Sequence, residues 1–281
     1  MSEFKNRVVI VTGAGRGIGR SHAIEFAKRG AKVLVNDSGG AVDGTGSGNT
    51  AQSVVNEIKS MGGIAVANTA SVAVEESAMH IVNDALEHFG TVDIVVNNAG
   101  ILRDKTFTNV TMENFKAVLD VHLMGSVYVT KAAWPVMIQN GWGRVVFTSS
   151  GSGIFGNFGQ SNYASAKMSV IGLMNVLKLE GLRKGIRVNT LAPGAITRMT
   201  RDLGDPARVG KPDHVSPAVL YLCSEGGPNG IILQAANGRF SIIKVCVTDG
   251  IDLGEEVDYE SFTRHIDNLL SDDSLRQPGK N

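Results

Sequence analysis

Apolar and polar positions along this chain keep two alternating rhythms. Short, largely β-branched runs at 8–11, 32–36, 65–68, 93–96, 144–148 and 187–191 have the continuous apolar character of strands buried on both faces. Between them the spacing becomes helical, over about 49–61, 75–88, 111–139 and onward to about 184. Strands alternating with helices predict a doubly wound α/β architecture around a parallel sheet of about seven strands. Residues 230–234 read as the seventh strand, 241–247 as one more extended segment, and 213–224 as a helix. In the tail, Tyr259, Phe262, Ile266, Leu269 and Leu270 repeat at helical spacing with acids between them. That amphipathic helix is expected to pack on its own body or on a partner subunit. The expected organisation is therefore one domain over 1–250 with an integral substrate site, followed by a helical tail over 251–281.

Composition narrows the function without choosing it. No Pro- or Ser-rich linker divides the 281 residues, and 27 basic side chains balance 27 acidic ones. A neutral surface offers no field to nucleic acid or to an anionic membrane. Two cysteines cannot build a disulfide framework, and six scattered histidines with no H-E-x-x-H or C-x-x-C predict no metal. The only apolar run near the start is 8–11, no stretch approaches a membrane span, and 277–281 carry no peroxisomal address. A cytoplasmic enzyme is the expectation.

Candidate chemistry sits in four places. The first strand runs straight into Thr12-Gly13-Ala14-Gly15-Arg16-Gly17-Ile18-Gly19 and then a helix, a context that suits a phosphate-binding turn. Asp37 closes the second strand, where a carboxylate can accept both ribose hydroxyls and repel a 2′-phosphate. This points to NAD over NADP, with Arg16 pulling the other way and a plain turn residue as the alternative. Small and amide residues, Asn97, Asn98, Ala99 and Gly100, end the fourth strand. Pro193, Gly194, Ile196 and Thr197 follow the sixth, where the proline is expected to fix a turn and Thr197 to bond a nicotinamide carboxamide. Finally, Tyr163 and Lys167 stand one helical turn apart, with Ser150 upstream at the end of a strand. Bringing a phenol from a pKa of about 10 to about 7 needs about 4 kcal/mol. One cation about 5 Å away supplies about 3 kcal/mol. Tyr163 is then an acid/base for alcohol and ketone interconversion, with Ser150 fixing the oxygen. The segment from Ile154 to Gln160, with Phe155 and Phe158, is expected to line an apolar substrate pocket.

Taken together, TGAGRGIG, Asp37, NNAG, Ser150, Tyr163 with Lys167, and Pro193-Gly194 resemble the short-chain dehydrogenase/reductase family over about residues 7–233. The resemblance implies a single-domain Rossmann-like sheet, a nicotinamide cofactor, and catalysis by Ser150, Tyr163 and Lys167, the lysine also holding the nicotinamide ribose. It implies a homodimer or homotetramer joined through the two long helices. VNDSGG, NNAGILRDKTF, VHLMGS and TSSGSGIFGNFGQSNYASAK are closer still to the (3R)-hydroxyacyl-CoA dehydrogenase region of peroxisomal multifunctional enzymes, of which the chain looks like a free-standing relative. Hydroxysteroids and other bulky secondary alcohols compete as substrates, and a non-catalytic nucleotide-binding regulator is the reading from another class. His122 occupies the position of the family's catalytic asparagine, where a backbone carbonyl role and plain helix packing both remain open. The adenine-contacting aspartate of many members is here Ala70, with Ser71 and Val72 following. Arg198, Arg201, Arg208 and Lys211 are either a CoA-phosphate patch or a solvated face.

Overall fold

Val8–Thr12 is buried along its whole length, and so are Ile94–Asn97 and Gly143–Thr148, because each lies between two layers of helix. The computed structural model describes residues 3–197, 210–255 and 257–275. Its elements are β1 (Val8–Thr12), α1 (Gly17–Lys28), β2 (Lys32–Asn36), α2 (Thr50–Ser60), β3 (Ile64–Asn68), α3 (Glu75–Phe89), β4 (Ile94–Asn97), α4 (Met112–Leu119), α5 (Gly125–Asn140), β5 (Gly143–Thr148), α6 (Gly151–Phe155), α7 (Ser161–Leu182), β6 (Ile186–Gly194), α8 (Ser216–Cys223), β7 (Ile232–Ala236), β8 (Arg239–Ile243) and α9 (Tyr259–Leu270). The sheet order is β3-β2-β1-β4-β5-β6-β7-β8, parallel from β3 through β7. The order of strand addition reverses between β1 and β4, which opens a crevice at the strands' carboxyl ends.

One face of the sheet packs Val9, Val11, Val33 and Val96 against α1, α2 and α8. On the other side α3, α5 and α7 bury Ile81, Val129 and Ile171. Phe4 meets Phe26 edge-on at 5.0 Å, and at the opposite end from the crevice Trp142 lies between the guanidinium groups of Arg7 and Arg144, 3.6 and 4.1 Å from its ring centre.

Three features differ from the sequence reading. The sheet has an eighth strand: Asn237 and Gly238 take φ of 46° and 74°, a two-residue turn that folds β8 back antiparallel on β7. The long helix over 111–139 is interrupted by a wide turn of π type at Asp120–Met124. Pro193 is not in a turn but inside β6, in register with Ala235. Leu191 O accepts from Ser149 N, so alternation points the nitrogen of Pro193 past the end of β5, where no ladder donor is needed.

Contacts divide the chain into Met1–Ile242, which carries the crevice, and Ile243–Asn281, which carries α9. Within the second unit α9 starts on a capping box between Asp258 and Ser261 and buries none of its residues. No described helix is long and apolar enough to cross a membrane.

Where α1 meets α8, buried His22 places Nδ1 2.9 Å from Ser216 Oγ, which is 2.7 Å from Ser21 Oγ; Ser21 also donates to Asp213 at 3.0 Å. His22 Nε2 has no hydrogen-bond partner among the described residues, and burial pushes the imidazole down to about 3. Between pH 6.5 and 3 the unfolded chain takes up a proton there that the folded chain refuses, so stability falls as pH drops. The full window is worth about 5 kcal/mol. His22→Gln should flatten this acid limb in urea unfolding at pH 7 and pH 4. Equal losses in both proteins would exclude His22 as its source.

Candidate active site

The crevice is a cleft of about 320 Å³ at the carboxyl ends of β1, β2, β4, β5 and β6. Its floor is built by two turns packed so closely that side chains are excluded. Gly13 takes φ of 62°, and a Cβ there would stand 2.7 Å from Ala99 Cα; a Cβ on Gly19 would run into Gly13 O. Asn98 Nδ2 donates to Thr12 O and Gly13 O at 3.0 and 3.1 Å, while Thr12 Oγ1 accepts from the Asn98 and Ala99 amides. Across the opening, a Cβ on Gly17 would approach Thr197 to 3.3 Å, so bare backbone keeps the gap. Helix α1 has no side-chain cap from Arg16 and no acid in its first turn. Its first N–H groups therefore suit an anion such as a dinucleotide pyrophosphate.

Asp37 lines the cleft and organises it. Its carboxylate accepts from Gly15 N at 2.8 Å, Gly39 N at 2.7 Å and Thr50 Oγ1 at 3.2 Å, joining the glycine turn, the following loop and the start of α2. An ionised carboxylate has about four acceptor positions, so one is left for a ribose hydroxyl. The loop itself, 38–48, docks through Leu102 N to Val42 O and Arg103 Nε to Asp43 O, both at 2.9 Å.

Ser150, Tyr163, Lys167 and His122 all border the same cleft. Ser150 follows β5 by two residues as the N-cap of α6, accepting from Ser152 N at 3.2 Å, and its hydroxyl hydrogen-bonds the Tyr163 phenol. The Lys167 ammonium is 5.6 Å from the Tyr163 ring centre and donates to Thr148 O at 2.6 Å. Burial is the main force on both groups. It pushes the phenol up to about 12, opposed by the Ser150 hydrogen bond and reinforced by the negative Asp104, and it pulls the lysine down to about 7. A phenol lowered toward neutrality by Lys167 is therefore not what these side chains produce by themselves.

His122 lies in the π-type turn, its ring edge-on to Tyr163 at 5.1 Å. Nε2 is 2.8 Å from Ile101 O and 3.0 Å from Ile101 N, which fastens the NNAG turn to this helix, and the His122 carbonyl accepts from Ser126 Oγ at 2.7 Å. Burial and the neighbouring Lys167 charge hold the imidazole well below its usual range. A Cβ on Gly100 would overlap His122 Cε1 and stand 3.1 Å from both ring nitrogens. Gly100→Ala should thus cost about 1–3 kcal/mol by overpacking. Thermal melts of that variant, alone and with His122→Ala, decide it; no recovery in the double variant would refute the clash.

Residues 7–207 match the family model described as short chain dehydrogenase. The chain is a short-chain dehydrogenase/reductase. Members are oxidoreductases that act on CH–OH groups with NAD(P). A short-chain type dehydrogenase/reductase of Mycobacterium tuberculosis is 48% identical over 254 residues, 89% of each chain. Mouse peroxisomal multifunctional enzyme type 2 is 48% identical over 239 residues, 84% of this chain but 32% of that one. Among solved structures, a Mycobacterium avium short chain dehydrogenase superposes with TM-score 0.86 at 38% identity, covering 99% of this chain and 98% of that one. A 7α-hydroxysteroid dehydrogenase solved with NADH and a 7-oxo bile acid gives 0.76 at 31%, covering 84% and 94%.

In this dehydrogenase Gly13, Arg16, Gly17, Ile18, Gly19, Asp37, Ser71, Val72, Asn98, Ala99, Gly100, Pro193 and Thr197 all border the cleft, whereas Gly194 and Ile196 do not. Residues 193, 195 and 197 border it in turn, Pro193 near the end of β6 and the other two just past it. Phe155 and Phe158 stand outside the cleft, 72% and 90% exposed, because α6 ends at Gly156 and turns them outward. Phe158 instead borders a shallow neighbouring pocket with Phe107. Of the basic patch, Arg198, Arg201 and Arg208 lie outside the described residues, and Lys211 is exposed. Of the segment 154–160 expected to line the pocket, Gln160 borders the cleft; Leu102 and Ala41 border it as well, and only their closeness to known motifs in sequence points to them.

Proposed function

We propose that this protein is an NAD-dependent dehydrogenase that interconverts a secondary alcohol and its ketone, with 3-hydroxyacyl thioesters as its substrates. One observation carries the reading: Ser150, Tyr163 and Lys167 border the same cleft as the glycine turn and Asp37. When bound, the nicotinamide supplies or accepts the hydride. Ser150 and Tyr163 hold the reacting oxygen, and Tyr163 moves its proton. The phenol, held near 12, stays protonated at neutral pH, the form that carbonyl reduction needs. Lys167 stands behind it as the ribose-side cation, and the carboxylate of Asp37 disfavours a 2′-phosphate. The motifs shared with the hydroxyacyl-CoA dehydrogenase branch favour the thioester; the 7α-hydroxysteroid dehydrogenase neighbour favours steroids as a second reading. Exposed Met168, Val176, Leu179 and Leu182 on α7 support association into a homodimer or homotetramer through α5 and α7. Absorbance at 340 nm with NAD or NADP, against 3-hydroxyacyl-CoA esters, hydroxysteroids and small secondary alcohols, tests this. A preference for NADP, or for steroids, would overturn the corresponding half.

A further inference from the structure

Gln160 is the residue before α7, only 3% exposed, yet it borders both the cleft and the shallow pocket beside Phe107 and Phe158. Two neighbours fix which way its amide faces. Nε2 donates to Asp104 Oδ2 at 2.6 Å, and Oε1 accepts from Asn157 Nδ2 at 3.0 Å. An ionised carboxylate only accepts, so a flipped amide would set two acceptors against each other. The backbone fixes the same juxtaposition: Lys105 bridges to Gln160, and Asn162 Nδ2 donates to Arg103 O at 3.0 Å. Asp104 Oδ1 is buried with no hydrogen-bond partner among the described residues. Leaving a carboxylate oxygen buried and unpaired is a poor solution for packing alone.

The amide has two N–H groups, and Asp104 takes one. The reacting oxygen already has Ser150 and Tyr163, so a third donor at the cleft wall is useful only to a second acceptor on the substrate. We propose that Gln160 reads that second oxygen, the thioester carbonyl of a 3-hydroxyacyl or 3-oxoacyl substrate, and that Asp104 is the positioning residue that fixes the amide's polarity. The apolar pocket beyond Gln160, with exposed Phe107 and Phe158, suits the hydrocarbon part of such a molecule. This inference rests on the thioester substrate proposed above and names the residues that read it.

The test compares, with NAD, a 3-hydroxyacyl-CoA ester and a secondary alcohol of equal chain length that lacks the carbonyl. Gln160→Leu should lower kcat/KM for the thioester about tenfold or more while changing that for the plain alcohol by no more than about twofold. Asp104→Asn lets the amide flip and, whatever its shared effect on Tyr163, should lower the thioester value relative to the plain-alcohol value by about threefold or more. Equal losses on both substrates, in either variant, would mean that the pair merely packs the start of α7. An unchanged thioester value would overturn the proposal as well. If the parent oxidises plain alcohols but not the thioester, this inference falls while the oxidoreductase reading stands. If it oxidises no secondary alcohol at all, that reading falls too.

Discussion

Tyr163→Phe is expected to lower turnover by about 10²- to 10⁴-fold while leaving the affinity for NADH within about threefold. Phenylalanine keeps the ring that meets His122 edge-on at 5.1 Å and removes only the oxygen that hydrogen-bonds Ser150. The glycine floor and Asp37, which border the same cleft, are untouched by the change. Turnover at 340 nm and NADH fluorescence titration separate the two effects. Activity within tenfold of the parent would remove Tyr163 from the chemistry; lost NADH binding would make it a cofactor residue. The pH dependence carries an independent sign. Because the phenol is held near 12, the proton donor for reduction is present across the neutral range, whereas oxidation needs the phenolate and should climb with pH. Asp104 is one cause of that raised value, so Asp104→Asn should move the oxidation limb to lower pH, and Ser150→Ala should move it higher.

Strands and the glycine turn were legible because burial on both faces and tight backbone approach leave a local signature in residue type. β2 begins and ends where its apolar run does, β3 starts one residue earlier than expected, and β4 is displaced by one residue. The exposed β8 was legible only as an extended segment at 241–247, two residues past its start, although the Asn237-Gly238 turn before it is a local hairpin signal. The π-type turn at Asp120–Met124 was not legible, since it arises from the packing of Val121 and His122 against the NNAG turn and α7, a contact between segments far apart in sequence. The side of the chain that Phe155 presents depends on Gly156, whose φ of 81° ends α6 after five residues. Spacing placed Tyr163 and Lys167 on one helix face, and there they are. What spacing could not express is desolvation, which moves the two pKa values in the direction opposite to their mutual attraction.

That opposition makes Lys167 a residue at which activity and stability should separate. At 5.6 Å from the Tyr163 ring, an ammonium contributes about 3 kcal/mol to a phenolate at an effective dielectric of about 20, so Lys167→Met should slow turnover on the order of a hundredfold. Its effect on folding has the other sign near neutrality. The folded lysine titrates near 7 and the unfolded one near 10.5, so between those values the unfolded chain holds a proton that the folded chain does not. The resulting cost, about 5 kcal/mol at most, is complete below pH 7 and vanishes as pH approaches 10.5. Methionine removes it but leaves Thr148 O without the donor it has at 2.6 Å, a loss of about 1–3 kcal/mol at every pH. Lys167→Met should therefore be more stable than the parent at pH 6 and less stable at pH 10.5, with the unfolding curves crossing between. A variant less stable by the same amount at both values would mean that the buried ammonium carries no desolvation penalty, and the case for a strained cation behind Tyr163 would fail with it.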